Sequence, residues 1–332
     1  MKLLCTAMFC PAYVSPAIIL AMFFLVSVPM ASADDPTELI IWPNGHPEPK
    51  VSADPPEELV KGPDGLTRRF NVSKPRLFVY RPAKEIATGA AIIVVPGGGF
   101  GRLSDEHEGS DVCRWLASLG IVSIELAYRT PTNKHANPVE GPAQDLQQAL
   151  LTVRDQAEEL SIDADKVGVM GFSAGGQTAL VAMAGKEVAM AGKEVAMAGE
   201  KVAMAGEEVI TFAGDPQRMR PNLALLIYPY QVMNSEATAI RADVDLDSGL
   251  PPVFIAQSLD DKASPPQGSA MLLMELVKRQ IPTELHIYET GGHGFGMRHR
   301  TPPPGARDWS ERAAVWLRLH KFAAELPGDD TE

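Results

Sequence analysis

Short apolar runs alternate with longer amphipathic stretches over most of the chain. Seven of these runs have the length and composition of buried strands: Leu77–Tyr80, Ala90–Val95, Val122–Ala127, Lys166–Met170, Leu223–Tyr228, Val253–Gln257 and Glu284–Tyr288. Helical periodicity lies between them, at about residues 108–119, 142–160, 174 into a following repeat, 267–280 and 308–325. Apolar strands that alternate with helices favour a mainly parallel sheet covered on both faces. We therefore predict one α/β domain, a three-layer sandwich, over residues 77–325.

Two segments precede this pattern. Residues 34–76 are rich in Pro, Gly and acidic residues, and we predict an irregular segment that lies over the domain or leads into it. In residues 1–33, Lys2 is the only charge, an apolar run covers Ala17–Val28, and Ala31-Ser32-Ala33 has the small-x-small form of a cleavage site. This pattern predicts a cleaved signal peptide and hence a secreted or periplasmic protein.

An uncleaved membrane anchor is the alternative for the N-terminal run, although its apolar centre is short for a span that needs about 20 residues. No later segment is apolar for long enough to cross a bilayer, so we expect no stable membrane insertion after signal cleavage. Cys5 and Cys10 fall within the predicted signal, which leaves Cys113 without an internal disulfide partner. The 332-residue chain has a net charge of −12, which argues against nucleic acid as a partner.

The fourth predicted strand leads into a Gly-x-Ser-x-Gly sequence, Gly171–Gly175, just before a predicted helix. A strand-turn-helix setting is typical of a nucleophile elbow, where a serine has a strained backbone and an exposed hydroxyl. Glycines on either side leave room for the neighbouring strand and helix in so tight a turn. We therefore predict Ser173 as a nucleophile, with an ordinary glycine-rich turn as the alternative.

A serine hydroxyl needs a positioned base, and the sequence has seven histidines. His293 follows the last predicted strand within the glycine-rich sequence Gly291–Gly296, and it gives the chain order Ser, Asp, His of this architecture. His299, in a basic stretch, is the nearest alternative. The remaining histidines have ordinary structural interpretations, although His107 follows the first glycine loop: His46, His107, His135, His286 and His320.

The orienting carboxylate should follow the strand before that histidine, where Asp260 and Asp261 are adjacent candidates. Asp261 begins an Asp-x-x-x-Pro sequence, a usual form of such a loop, and we favour it as the partner of the base. Its carboxylate would hold the imidazole in the right tautomer and stabilise the imidazolium that forms. Asp260 would then be a loop or helix-capping residue.

The strand at Ala90–Val95 ends in a glycine-rich sequence, Pro96–Gly101, whose backbone can approach a substrate closely. An N–H of Gly98 or Gly99, together with that of Ala174, would complete an oxyanion hole. A dinucleotide-binding loop is the alternative, but Arg102 stands where Gly-x-Gly-x-x-Gly needs its third glycine. No Walker sequence is present either, so no nucleotide cofactor is predicted.

Together these sequences resemble the α/β-hydrolase superfamily and, within it, the secreted acetyl-xylan esterase and feruloyl esterase-like group. The resemblance covers about residues 77–319 and rests on Val95–Phe100, Asp105–Gly109, Ala127–Arg129, Val169–Gly176 and Tyr288–Phe295. It implies an α/β-hydrolase fold and a serine esterase that needs no metal, with Ser173 as nucleophile, His293 as general base and Asp261 as its partner. One departure is Gln177, where such proteins usually have histidine.

The leading functional hypothesis is a hydrolase that removes acetyl or feruloyl groups from small-molecule or polysaccharide esters through an acyl-enzyme. A serine peptidase of the prolyl oligopeptidase type is one alternative, but about 40 residues before Leu77 are too few for the usual N-terminal propeller. The other alternative is an inactive binding protein whose site is spoiled by the insertion next to Ser173. The sequence does not determine the oligomeric state.

That insertion is a heptad repeat at residues 183–209, in which Met-Ala-Gly-Lys-Glu-Val-Ala is read four times with small changes. A continuous helix from Ala174 to Val209 would be about 54 Å long, much longer than the sheet it covers. The unit is too short for a solenoid repeat. A neutral expansion of the helix after Ser173, a lid over the pocket and a partner-binding helix are the three interpretations.

Overall fold

The structure is a computed structural model, described here for residues 36–184, 216–297 and 305–325. The strands are β1 (Thr37–Ile40), β2 (Glu58–Lys61), β3 (Thr67–Phe70), β4 (Arg76–Tyr80), β5 (Ala91–Val95), β6 (Val122–Ala127), β7 (Val167–Phe172), β8 (Ala224–Ile227), β9 (Val253–Ser258) and β10 (Thr283–Tyr288). The helices are α1 (Asp111–Ser118), α2 (Glu140–Asp155), α3 (Ala157–Leu160), α4 (Ala174–Met183), α5 (Pro266–Lys278) and α6 (Trp309–Leu319). A π-helical turn at Glu106–Ser110 leads into α1.

Eight strands form one sheet in the order β1-β4-β6-β5-β7-β8-β9-β10. Every pairing from β6 through β5 to β10 is parallel, whereas β4 pairs antiparallel with both β1 and β6. The predicted three-layer sandwich with a mainly parallel sheet is therefore confirmed. Each of the seven predicted strands lies within two residues of an observed one.

Alternate residues of the central strands face opposite helical layers. In β5, Ile93 and Val95 belong to the apolar cluster that includes residues of α2, α4 and α5, whereas Ile92 and Val94 belong to the cluster that includes residues of α1 and α6. The same alternation continues through β7, β8 and β9, because successive side chains of a strand point to opposite faces. Because helices cover both faces of the sheet, the side chains on both faces are apolar. Each of these strands is therefore a continuous hydrophobic run in the sequence.

The expectation of an irregular segment at residues 34–76 is wrong, because three short strands lie there. β1 pairs with β4 at the edge of the main sheet, and β2 and β3 form a separate two-stranded sheet. The side chains of β1 are mostly exposed, with Ile40 at 49%, so no apolar alternation marks this strand. Its place depends on backbone pairing with an edge, which a hydrophobic pattern does not reveal.

The N-terminal segment is also attached through a buried ion pair between Arg129 and Asp145. The Asp145 carboxylate accepts hydrogen bonds from the Arg129 side chain at 2.5 Å and from Trp42 Nε1 at 2.8 Å. Arg129 also donates to the carbonyl oxygens of Pro47 at 2.8 Å and Pro49 at 3.0 Å. Such a pair needs further hydrogen bonds to offset the cost of desolvation, and the N-terminal segment supplies them.

Several sequence predictions fall outside the described residues. These are the signal peptide at residues 1–33 and residues 185–209 of the heptad repeat. The helix after Ser173 is described up to Met183, with Ala184 as its C-cap. No helix in the described ranges is both long enough and apolar enough to cross a bilayer.

Glu125 is an acidic residue buried in the middle of β6, with 1% of its surface exposed. Burial raises the pKa of its carboxyl well above the ordinary value of 4.5, and the negative charge of Asp105 raises that pKa further. The folded state therefore retains this proton to a higher pH than the unfolded chain does. Stability falls as pH rises from the unfolded pKa towards the folded one, because the folded state binds more protons in that window.

We predict that Glu125→Gln removes this loss of stability. Because the amide does not titrate, the free energy of unfolding of the variant relative to the wild type should increase with pH by up to about 1.4 kcal/mol per pH unit. Urea denaturation between about pH 5 and pH 8 measures the difference. Glu58→Gln, at an exposed position of β2, controls for the loss of one charge. A stability difference for Glu125→Gln that does not change with pH would contradict the prediction.

Candidate active site

Chemically reactive side chains collect at one edge of the sheet, where five neighbouring parallel strands end. The glycine loop follows β5, Ser173 follows β7, Tyr228 follows β8, Asp260 and Asp261 follow β9, and His293 follows β10. The carboxyl ends of parallel strands meet at the same edge, which is where open α/β sheets bind ligands. Residues more than 190 positions apart in the chain therefore share one site.

Ser173 lies in the tight turn between β7 and α4. Its backbone has φ 51° and ψ −117°, a region that costs a non-glycine residue roughly 1–3 kcal/mol. Hydrogen bonds hold this conformation, since Ser173 N–H donates to Ile227 O at 3.0 Å and Tyr230 N–H donates to Ser173 O at 2.9 Å. The strained turn places the serine at the start of α4, as expected for a nucleophile elbow.

The two flanking glycines are required by close packing. A Cβ on Gly171 would overlap the carbonyl oxygen of Gly175, and a Cβ on Gly175 would overlap the carbonyl oxygen of Val95 at the end of β5. The elbow therefore packs directly against the neighbouring strand. Any larger residue at either glycine would push Ser173 away from the glycine loop that follows that strand.

Ser173, His293 and Asp261 form a continuous chain of hydrogen bonds. Ser173 Oγ lies 2.8 Å from His293 Nε2, and His293 Nδ1 lies 2.8 Å from Asp261 Oδ2. Ser173 is 7% exposed, and the carboxylate of Asp261 is fully buried. With Nδ1 donating to the carboxylate, Nε2 is left to accept the serine proton. The structure thus brings together the three side chains that the sequence predicts for catalysis.

Asp260 and Asp261 have different partners in the structure. The second oxygen of Asp261 accepts backbone N–H groups from Ala263 at 2.9 Å and Ser264 at 2.8 Å, which orients the carboxylate towards His293. Asp260 is exposed and instead accepts the N–H of Gly292 at 2.7 Å. That hydrogen bond lowers the pKa of the Asp260 carboxyl. Asp260 therefore binds the backbone of the histidine loop, whereas the imidazole of His293 is bound by Asp261.

The glycine loop after β5 reaches the nucleophile. A Cβ added to Gly97 would lie 2.8 Å from the Cβ of Ser173, so the two backbones are in contact. Gly98 and Gly99 have φ of 135° and 62°, and no hydrogen bond joins their N–H groups to the described residues. Ala174 begins α4, where a first-turn N–H has no acceptor within the helix. Three candidate oxyanion donors thus come from the two segments that meet at Ser173.

Three of the other histidines contact a neighbouring polar group, and one lies outside the described residues. His107 is buried with its Nε2 3.5 Å from Glu108 Oε1, and His286 on the edge strand bonds Glu284 at 2.5 Å. His46 contacts the carbonyl oxygen of Pro47 at 2.9 Å. His299, the alternative base, lies outside the described residues. Gln177 is buried on α4, where its backbone N–H donates to the carbonyl oxygen of Ser173 at 3.0 Å, and its side-chain Oε1 has no hydrogen-bond partner among the described residues.

Cys113 is buried in the layer that contains α1 and α6, and burial raises the pKa of its thiol well above the ordinary value. A thiol in this state is a poor nucleophile, as expected for a small core residue. No group of three or more His, Cys, Asp or Glu side chains that could hold a metal ion lies in the described ranges.

Sequence reasoning missed two residues of the site, Glu108 and Tyr228. The Tyr228 ring packs edge-on against the imidazole of His293, with ring centroids 5.1 Å apart. Its hydroxyl donates to Glu108 Oε1 at 2.9 Å, and Glu108 Oε2 accepts the Gly97 N–H at 2.9 Å. The only sequence indication was the motif Asp105–Gly109, because nothing in a single sequence shows that this glutamate is buried beside the glycine loop.

Comparisons with known proteins identify the family of this chain and its relatives. The sequence profile of the BD-FAE family matches residues 77–276. An acetylxylan esterase of Xylanibacter ruminicola is 32% identical over 241 residues, which are 64% of this chain and 42% of that protein. The chain therefore spans less than half the length of this curated relative.

Solved structures have the same fold. An acetyl ester-xyloside bifunctional hydrolase of Caldicellulosiruptor lactoaceticus superposes with a TM-score of 0.61 at 25% identity, covering 89% of this chain and all of that one. An α/β-hydrolase enzyme from a Medee basin deep-sea metagenome library superposes with a TM-score of 0.54 at 21% identity, covering 80% of this chain and 98% of that one. The sheet order and the helical layers described above are thus those of the α/β-hydrolase fold.

The different partners of Asp260 and Asp261 lead to a prediction. Asp261→Asn should slow the labelling of Ser173 by a fluorophosphonate at least about 1,000-fold, because an amide cannot hold the imidazole tautomer that accepts the serine proton. Asp260→Asn should slow it less than about 10-fold, since the asparagine carbonyl can still accept the Gly292 N–H. Labelling rates are measured by mass spectrometry of the intact chain. Equal rates for the two variants would contradict the assignment.

Proposed function

The chain belongs to the BD-FAE family, and we propose that it is a serine carboxylester hydrolase that removes acyl groups from carbohydrate esters. The observation that carries this proposal is the uninterrupted chain of hydrogen bonds from Ser173 Oγ through His293 to Asp261, with both links at 2.8 Å. A hydroxyl in this setting can be deprotonated as it attacks a carbonyl carbon. The similarity to an acetylxylan esterase and to an acetyl ester-xyloside hydrolase favours an acetylated xylose sugar as substrate.

In the proposed first step, Ser173 Oγ attacks the ester carbonyl carbon while its proton passes to His293 Nε2. The carbonyl oxygen becomes an oxyanion, which the N–H groups of Ala174 and of Gly98 or Gly99 stabilise. Asp261 stabilises the positive charge on the imidazole. The intermediate then expels the sugar alkoxide, which takes the proton from His293, and an acyl group remains on Ser173.

In the second step, water repeats the same chemistry on the acyl-enzyme. His293 removes a proton from the water as its oxygen attacks the acyl carbon, and the same donors hold the oxyanion. Collapse of this second intermediate releases the carboxylic acid, and Ser173 recovers its proton from the imidazolium. The site returns to its starting state, so the reaction consumes one water for each ester bond broken.

We further propose that the enzyme acts outside the cytoplasm, because residues 1–33 have the charge, apolar run and small-x-small site of a secretory signal. Polysaccharide esters are too large to enter a cell before they are cut, so an exported enzyme suits such a substrate. The localisation of the protein before and after treatment with a signal-peptidase inhibitor tests this part of the proposal.

Replacement of the nucleophile tests the mechanism. Ser173→Ala should reduce the hydrolysis of nitrophenyl acetate at least about 1,000-fold, because it removes the hydroxyl that would form the acyl-enzyme. The variant should also form no fluorophosphonate adduct. Ser118→Ala, at an exposed position on α1, should retain full turnover and labelling. Turnover that survives in Ser173→Ala would contradict the serine mechanism, and a folded wild type without adduct would favour an inactive binding protein.

The acyl group is tested with a panel of substrates. We predict a higher kcat/KM for acetylated xylo-oligosaccharides than for feruloylated ones, and no cleavage of a prolyl nitroanilide. The rate of acid release in a pH-stat measures ester cleavage, and absorbance measures the anilide. A preference for feruloyl esters would change the proposed acyl group and leave the serine mechanism in place, whereas cleavage of the anilide would favour the peptidase alternative.

A further inference from the structure

Glu108 is a buried carboxylate that lies beneath the catalytic edge of the sheet, in the π-helical turn before α1. Its residue surface is 3% exposed. Oε2 accepts the N–H of Gly97 at 2.9 Å, and Oε1 accepts the hydroxyl of Tyr228 at 2.9 Å. His107 Nε2 lies 3.5 Å from the same Oε1. A single side chain therefore binds two of the segments that border Ser173.

The hydrogen bonds continue from Tyr228 into the histidine loop. The Tyr228 hydroxyl gives its proton to Glu108, and its oxygen accepts the N–H of Gly296 at 3.0 Å. The Tyr228 ring also packs against the imidazole of His293, as described above. Gly296 is further held by Trp309, whose Nε1 donates to its carbonyl oxygen at 2.9 Å. Glu108 is thus connected through one tyrosine to the loop that carries the base.

At the other end, Glu108 contacts the glycine loop through the N–H of Gly97. Gly97 is enclosed on two sides, since an added Cβ would lie 2.7 Å from Glu108 Oε2 and 2.8 Å from the Cβ of Ser173. The next two residues, Gly98 and Gly99, are the candidate oxyanion donors. A shift of the Gly97 amide would therefore move these donors relative to the nucleophile.

The chemistry of this position requires a carboxylate. Burial alone would raise the pKa of Glu108, but hydrogen bonds from His107, Tyr228 and the Gly97 N–H together lower it. An ionised carboxylate accepts on both oxygens, as the two donors require. A glutamine of the same size could accept from only one of them, and its NH₂ group would face the other donor. One buried donor would then lose its partner.

We infer that Glu108 is a positioning residue that fixes the glycine loop and the histidine loop relative to Ser173. This inference rests on the proposed function, because the reaction whose transition state it serves is the acyl transfer described above. Glu108 itself does not contact the reacting atoms. It acts through Gly97 on the oxyanion donors and through Tyr228 on the loop of His293.

A positioning role and a purely structural role have different kinetic consequences. Oxyanion donors act mainly in the transition state, so their displacement lowers kcat and leaves KM nearly unchanged. A loss of stability alone lowers the amount of folded enzyme and leaves the kcat of each folded molecule unchanged. The two roles also differ in hydrogen exchange, because displacement affects the Gly97 and Gly296 amides and global destabilisation affects the core amides as well.

The experiment compares Glu108→Gln, Tyr228→Phe and the double variant with the wild type. Glu125→Gln is the matched control, because it makes the same substitution at another buried glutamate, whose side-chain partner is Asp105. Turnover of nitrophenyl acetate is normalised to folded enzyme. Hydrogen exchange is followed at Gly97 and Gly296 and, for the core, at Val169, whose N–H bonds Leu223 O.

We expect Glu108→Gln to lower kcat about 10- to 100-fold with KM within about 2-fold of the wild type. Exchange at Gly97 and Gly296 should increase at least about 10-fold more than at Val169. The double variant should lose much less activity than the product of the two single losses, because both residues act in one network. Glu125→Gln should retain wild-type kcat and wild-type exchange at both loops.

Three results would overturn the inference. These are a wild-type kcat in Glu108→Gln, a rise in exchange at Val169 equal to that at Gly97 and Gly296, and activity losses that simply multiply in the double variant. A wild type that hydrolyses no ester would instead overturn the proposed function. In that case exchange at Gly97 and Gly296 in Glu108→Gln still decides whether Glu108 couples the two loops.

Discussion

The parallel register of β5, β7, β8, β9 and β10 is the constraint on which the rest of the site depends. Val95 is level with Gly171, Phe172 with Ile227, and Tyr288 with Ser258. Each of these pairs is followed within a few residues by a loop that carries a site residue. A slip of one residue in any pair would turn each side chain into the opposite helical layer, whose close packing is fitted to different residues. The buried apolar faces therefore hold the register, and the register brings Ser173, Asp261 and His293 within hydrogen-bonding distance.

A second constraint acts where these loops leave the sheet. Backbone N–H groups in such a crowded place need partners, and Glu108, Tyr228 and Asp261 supply acceptors for those of Gly97, Gly296, Ala263 and Ser264. The catalytic edge is thus supported from below by carboxylates that are themselves buried. Burial of a charge is costly unless it is fully hydrogen-bonded, which explains why each carboxylate accepts several donors at once.

Much of the fold could be predicted because the two faces of the sheet are both apolar. Runs such as Ala91–Val95 and Val253–Ser258 have no polar alternation, and this is typical of a parallel sheet with helices on both sides. The strand β1 could not be predicted, because its side chains are mostly exposed and do not alternate between apolar and polar. Glu108 could not be placed either, since a charged residue in a single sequence is expected at the surface.

The sequence by itself determined the fold class, the elbow around Ser173 and the loops that carry Asp261 and His293, because each depends on local residue types that follow a recognisable strand. The Asp-x-x-x-Pro pattern favoured Asp261, but only the tertiary structure showed which of the two adjacent aspartates faces the imidazole, and that Glu108 and Tyr228 join two of the loops at the site. Those choices depend on the direction of side chains from segments that are far apart in the chain. That direction is set by packing and hydrogen bonding across the sheet edge, which bring together residues that no local pattern relates to one another.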